Sequence, residues 1–187
     1  MCKLITLTEE KVNEALLKVE SGLKKYTNIL ELLHSVDVSE SVDFQKAYNG
    51  FYRMRQRSEQ FYSSYYTYME KNKKSNPSFE QTLNYIYEEL GRTEASFASK
   101  LVATINPDLP VWDSVVLNNL GLKSPTYGGK NRRGKIIDIY CKIIEWYDNF
   151  LESEEGEMAL ELFERHYPNT SLTSLKKVDL ILWQIRD

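Results

Sequence analysis

Residues 90–122 read LGRTEASFASKLVATINPDLPVWDSVVLNNLGL. Gly91 follows the end of one predicted helix, where glycine readily takes the left-handed conformation that terminates helices. A second helix with apolar residues at helical spacing follows, and it ends at Asn106-Pro107 because proline cannot continue it. A loop containing Pro110 then leads to Asp113, at the entry to a short apolar helix that Gly121 closes. This stretch therefore predicts consecutive helices joined by tight turns.

Helical periodicity also dominates the segment before this stretch. Apolar residues at spacings of three, four and seven predict a helix over 8–34 and a second long helix over 42–71. After the break at Asn76-Pro77, Ser78 and Gln81 make a capping box that predicts the start of the next helix. We therefore expect long helices over residues 8–71.

Shorter helices are predicted over residues 78–187. Beyond residue 122 they cover 136–151, 155–165 and 172–185, the last capped by Ser171 or Thr173. Strand-like alternation is confined to Leu4–Leu7. The sequence therefore predicts an all-α fold, in which residues 1–187 form a single-domain bundle of about eight helices.

Composition excludes several functional classes. The 187 residues include 24 Lys+Arg and 27 Asp+Glu, for a net charge of −3, and no apolar run is long enough to cross a membrane. The two cysteines, Cys2 and Cys141, are too few for a disulfide scaffold or a zinc cage, and Cys141 is expected to be a buried, inert thiol. No metalloprotease, Walker, Rossmann or nucleophile-elbow motif is present. We expect a cytoplasmic protein with no metal, no cofactor and no membrane partner.

Two motifs within residues 90–122 carry a family resemblance. Gly91-Arg92-Thr93-Glu94-Ala95 resembles the exit of a glycine hairpin, and Pro110-Val111-Trp112-Asp113-Ser114-Val115-Val116 resembles a segment holding a catalytic aspartate. Leu120-Gly121-Leu122 follows at the expected distance. In these features the chain resembles the helix-hairpin-helix DNA glycosylase superfamily, and the resemblance implies a helix-hairpin-helix core within the bundle. The pattern SFASK…NP…PxxDSxV is also similar to bacterial proteins of about this size, a likeness that implies no function.

The resemblance implies base removal from DNA. A glycosylase flips a nucleotide out of the duplex and stabilises the sugar cation that forms as the base leaves. Asp113 is implied as the carboxylate beneath that sugar, and Gly91, Arg92 and Thr93 as the hairpin that grips a phosphate. Bifunctional members place a lysine where this chain has Glu94.

Lys100, on the same predicted helix, is the substitute candidate for that lysine. The resemblance therefore implies a monofunctional, lysine-independent reaction.

Each of these residues has a structural alternative. Asp113 is also a good N-cap for the helix that follows it. Trp112 is a candidate for stacking on a base, yet tryptophan also packs beside helix starts. Lys100 is better explained as part of a solvated helix face.

The clearest loop, residues 121–135, is the strongest candidate for contacting phosphates. It contains three glycines after residue 121 and no acidic residue. Its cationic candidates for DNA binding are Lys123, Lys130, Arg132 and Arg133, with Lys135 at its end. Cations on a glycine-rich loop that contains no acidic residue can follow a nucleic-acid backbone.

A second basic and aromatic segment leaves other functions open. Arg53, Arg55 and Arg57 precede several tyrosines, and the arginines can contact phosphates or pair with acids such as Glu59. Three hypotheses remain open. The protein is a glycosylase-like DNA-binding protein, a non-catalytic α-helical interaction protein of unknown partner, or a protein whose aromatic helix at 44–69 binds a small ligand.

Overall fold

The computed structural model describes residues 5–55 and 57–185, and within these ranges every regular element is an α-helix. The predicted all-α class is therefore confirmed. Of the strand-like segment Leu4–Leu7, Leu4 lies outside the described residues, as does Cys2, and residues 5–7 are not in a strand. The helices of the described ranges are α1 (Glu9–Ser35), α2 (Val42–Phe51), α3 (Glu59–Asn72), α4 (Phe79–Leu90), α5 (Ala95–Ile105), α6 (Ser114–Asn119), α7 (Arg132–Leu151), α8 (Glu154–His166) and α9 (Ser174–Leu182).

The chain divides into two compact units. The first unit is Met1–Val19 with Pro107–Asp187, and the second unit is Glu20–Asn106. The single domain over residues 1–187 stays a prediction. Helix α1 contributes residues to both units, and no helix in the described part of the chain is long and apolar enough to span a membrane.

The predicted continuous helix over 42–71 is wrong, because residues 52–58 separate α2 from α3. Arg53 has a φ of 52°, in the left-handed region that a helix cannot propagate through. The Ser58 side chain then caps α3 by accepting a hydrogen bond from the Phe61 N–H at 3.2 Å. The apolar periodicity of the sequence continues across this interruption and so conceals it.

The clustered tyrosines of the second unit fill its core. The hydroxyl oxygens of Tyr48 and Tyr65 are 2.8 Å apart, and Tyr65 donates to the Phe97 carbonyl at 2.9 Å. The Tyr52 hydroxyl lies 2.9 Å from the Thr104 hydroxyl. Burial raises the pKa of Tyr48 and of Tyr65, so both phenols stay protonated. These contacts support a structural role for the aromatic side chains of α2 and α3.

Helices α4 and α5 of the second unit are consecutive and are joined by a short turn at Gly91, as the sequence predicts. Ser78 accepts from the Gln81 N–H at 3.1 Å and donates its own N–H to the Gln81 side chain at 2.9 Å, which completes the capping box. Gly91 ends α4 with a φ of 64°. The sequence favours Thr93 as the cap of α5, because threonine is a good N-cap residue, but Thr93 does not occupy that position. The N-cap is Glu94, whose side chain makes no capping hydrogen bond.

Two glycines of this unit give a matched test of backbone conformation. A Cβ atom added at Gly91 or at Gly50 meets nothing within 4 Å, so neither alanine variant is limited by space. We expect Gly91→Ala to destabilise the protein by about 1–2 kcal/mol, because φ is left-handed there. Gly50→Ala, inside α2, should instead stabilise it by about 0.5–1 kcal/mol. Urea unfolding measures both, and equal changes in the two variants would contradict the turn at Gly91.

In the first unit the basic loop is shorter than predicted. Helix α7 begins at Arg132, so Arg132, Arg133 and Lys135 lie on its first turn instead of in a loop. Asn131, with a φ of 51°, precedes it. The glycine at position 134 suggested a loop, but helical hydrogen bonding continues through it. Thr173 caps α9 by accepting from the Lys176 N–H at 3.3 Å, which confirms one of the two predicted caps.

Candidate functional site

Asp113 is held in place by hydrogen bonds from two helices. One carboxylate oxygen accepts from the Val116 N–H at 2.9 Å, so Asp113 is the N-cap of α6. The other oxygen accepts from the indole N–H of Trp183, just after α9. The side chain is half-buried. The capping role is therefore established, and Trp183 adds a second constraint that the local sequence does not reveal.

The surroundings of Asp113 change its acidity. Burial raises the pKa of the carboxyl group, and the nearby Asp179 carboxylate adds to this effect. The hydrogen bonds from Val116 and Trp183 oppose it without cancelling it. A half-buried carboxyl group with a raised pKa and a fixed orientation is suited to acid–base chemistry.

A buried ionic cluster lies in the same unit. The Lys176 ammonium is 2.8 Å from one Asp179 oxygen, and the Tyr147 hydroxyl donates to the other oxygen at 3.2 Å. Lys176 is 1% exposed and Asp179 is 8% exposed. We call Lys176, Asp179 and Tyr147 the buried cluster. Sequence reasoning missed it, although a lysine and an aspartate at i and i+3 among the apolar residues of α9 were a detectable signal.

Helix α7 also supports the segment that leads into Asp113. The Tyr140 hydroxyl is buried and donates to the Pro110 carbonyl at 2.8 Å. Trp112 is 4% exposed, so the geometry supports packing beside the start of α6 instead of stacking on a base. Cys141 is exposed on α7. The expectation of a buried thiol is wrong because the neighbouring Tyr140 and Ile143 take the inward-facing positions.

The hairpin candidates belong to the second unit. Gly91 and Arg92 are exposed and Thr93 is half-buried. The Glu94 carboxylate stands at the N-cap of α5 and pairs with the Arg57 guanidinium at 3.1 Å. A negative charge at a helix start makes that position less favourable for a phosphate.

Lys100 is not on a solvated helix face, because it is 9% exposed within α5. Its ammonium lies 5.5 Å from the centre of the Phe97 ring. Lys100 belongs to the second unit and Asp113 to the first. The prediction that Lys100 lies on a solvated helix face is thus wrong, because every residue of α5 from Phe97 to Ile105 is buried.

Arg57 of the arginine-rich segment has a different partner from the predicted one. It pairs with Glu94, which is 37 residues away, instead of with the local Glu59. Its guanidinium also lies 4.8 Å from the centre of the Phe97 ring. These contacts give Arg57 a structural role within the second unit.

A basic pocket in the first unit brings together several of the predicted DNA-binding residues. It has a volume of about 330 Å³. Its charged lining consists of Lys123, Lys130, Arg132, Lys135 and Lys142, with Asp138 as the acidic member. We call this concavity the basic pocket.

The composition of the basic pocket follows from the loop and from one face of α7. Lys135, Asp138 and Lys142 share that face at spacings of three and four residues. Sequence reasoning missed Lys142, which the helical spacing from Lys135 could have indicated. Arg133 is exposed on the same helix turn but does not line the basic pocket.

No cluster of metal-binding side chains occurs among residues 5–55 and 57–185. Comparison with known proteins finds no matching family model, no matching curated protein and no matching solved structure.

Proposed function

We propose that this protein binds DNA, and that the basic pocket contacts the phosphate backbone. The observation that carries this proposal is the convergence of five cationic side chains on one concavity, with Asp138 as the acidic member of the lining. The whole chain has a net charge of −3, so this concentration of positive charge is local. A cation-lined concavity attracts polyanions and releases their counterions on binding.

The exposure of these side chains supports the proposal. Lys123, Lys130, Lys135 and Lys142 are all exposed, so their ammonium groups can reach a ligand without unfolding any element. Lysines on a loop and on a helix face can adjust to successive phosphates along a backbone. The basic pocket is therefore a better candidate for phosphate binding than the hairpin at Gly91, where Glu94 is close in sequence.

Within this proposal, Asp113 is the candidate for glycosylase-like chemistry. The observation that favours it is a half-buried carboxyl group with a raised pKa and two hydrogen bonds that fix its direction. As the C–N bond to a modified base breaks, the ionised carboxylate would stabilise the sugar cation. It would then accept a proton from the attacking water. With glutamate at position 94, the product is an intact abasic site.

A salt titration tests DNA binding. We expect a fluorescent duplex to bind the protein with an affinity that falls as salt rises. Replacing Lys123, Lys130 and Lys135 by alanine should reduce the slope of log K against log salt by about 0.9 per lysine. Extrapolated from 1 M salt, this smaller slope lowers the affinity at about 0.1 M salt by roughly 500-fold.

The matched control is the triple alanine variant at Lys11, Lys18 and Lys25. These lysines are exposed on α1 and recur every seven residues, so the variant removes the same charge from one face of another helix. We expect this control to bind nearly as well as the wild type. Equal losses in the two triple variants would show that only net charge matters, and no affinity at low salt would refute DNA binding.

The chemical step needs a separate assay. Wild-type protein is incubated with a panel of duplexes that carry damaged bases, and alkali then cleaves any abasic sites. We expect breaks with one lesion class, no breaks with Asp113→Asn, and no complex trapped by borohydride. Equal cleavage by the asparagine variant would exclude Asp113 as the catalytic group. No cleavage on any duplex, with binding intact, would favour the non-catalytic hypothesis.

A further inference from the structure

Tyr127 is an unusually exposed aromatic residue at the edge of the basic pocket. It is 88% exposed, more than any other exposed large hydrophobic residue that the structure describes. Its neighbour Thr126 and the nearby Gly129 both line the basic pocket. An exposed ring gains nothing from core burial, so packing does not explain its position.

The backbone around Tyr127 holds the ring outward. The Gly129 N–H donates to the Thr126 carbonyl at 3.2 Å, and Gly128 has a φ of 79°. These features are those of a type II turn, which places Tyr127 at the first central position. Gly128 supplies the positive φ that the second central position requires. The turn therefore presents the tyrosine at its apex.

Arg132 links this ring to the basic pocket. Its guanidinium carbon is 5.5 Å from the centre of the Tyr127 ring, within cation–π range, and Arg132 also lines the basic pocket. Arg132 thus contacts the Tyr127 ring and also lines the basic pocket. An aromatic platform next to a positively charged groove is the combination that binds single-stranded nucleic acid.

We infer that the basic pocket and Tyr127 together form a site for an unpaired nucleotide of DNA. The base stacks on the Tyr127 ring, and the flanking phosphates lie among Lys123, Lys130 and Lys135. The pocket volume of about 330 Å³ lies at the small end of the range for ligand pockets, which suits one nucleotide unit. Paired bases inside a duplex are already stacked on each other and cannot reach the ring. This inference rests on the proposed DNA binding and adds a preference for single-stranded or flipped-out bases.

The test compares a single-stranded 20-mer with its duplex in one anisotropy assay. We expect the wild type to bind the single strand more tightly. Tyr127→Ala should weaken single-strand binding by about 5- to 150-fold and leave duplex binding unchanged within about twofold. Tyr127→Phe should bind as the wild type does, because the ring is kept. Tyr87→Ala, an exposed tyrosine of α4 that does not line the basic pocket, is the matched control and should bind normally.

A spectroscopic readout reports stacking directly. A single strand that contains 2-aminopurine should lose fluorescence on binding the wild type and should lose less on binding Tyr127→Ala. Equal weakening of single-strand and duplex binding in Tyr127→Ala would overturn the inference while leaving the proposed DNA binding in place. The absence of affinity for either DNA would remove both.

Discussion

Replacing Lys176 by methionine should lower the free energy of unfolding by about 3–5 kcal/mol. The ammonium is 2.8 Å from an Asp179 oxygen, and both side chains are buried. Without it, the Asp179 carboxylate keeps the Tyr147 hydroxyl as a hydrogen-bond donor but loses its compensating charge. An uncompensated charge in a buried site is costly because the low polarity of the interior does not solvate it. Denaturant unfolding followed by circular dichroism measures the loss.

Lys177 provides a matched control one residue further along α9. Its ammonium pairs with Glu164; the side chain of Lys177 is 12% exposed, but that of Glu164 is 47% exposed and can be hydrated when the lysine is removed. Lys177→Met should therefore change the free energy of unfolding by less than about 1 kcal/mol. The double variant Lys176→Met with Asp179→Asn should recover most of the stability, because it removes both charges together and keeps an acceptor oxygen for the Tyr147 hydroxyl. A Lys176→Met protein as stable as the wild type would show that the buried cluster does not form.

Asp113→Asn should destabilise the protein by about 1–3 kcal/mol, even though asparagine is a good N-cap. Aspartate offers two acceptor oxygens, and the N–H groups of Val116 and Trp183 each use one. Asparagine has one acceptor oxygen and an amide group that donates. One of the two donors would then face another donor in a half-buried site, which leaves both unsatisfied. Thermal and denaturant unfolding of the variant measure this cost.

Trp183→Phe separates the two hydrogen bonds of Asp113. Phenylalanine lacks the indole N–H, so the remaining Val116 donor can be satisfied by asparagine as well as by aspartate. In a double-mutant cycle, Asp113→Asn should therefore cost less in the Trp183→Phe background than in the wild type. Equal costs in both backgrounds would contradict the Asp113–Trp183 contact.

Several features of this fold were decided by short stretches of sequence. The capping box of Ser78 and Gln81, the left-handed Gly91 and the Thr173 cap all occur as predicted. Each depends on hydrogen bonds or backbone conformations within about four residues, so the neighbouring sequence contains the information needed. The helical class follows from the same local rules, because apolar periodicity is repeated in every long segment.

The partners of the polar side chains were decided by the tertiary structure. Trp183 reaches Asp113 across 70 residues, and Glu94 instead of Glu59 pairs with Arg57. Two consecutive lysines of α9 also differ in environment. Lys176 is buried beside Asp179, whereas Lys177 pairs with Glu164, whose side chain is half-exposed. Contacts between residues far apart in the chain depend on how helices pack, and periodicity does not encode that packing. The sequence by itself thus determined the helical class and most helix ends, but not the break between α2 and α3 or the start of α7. Only tertiary packing decided which charges are buried and which acids they meet.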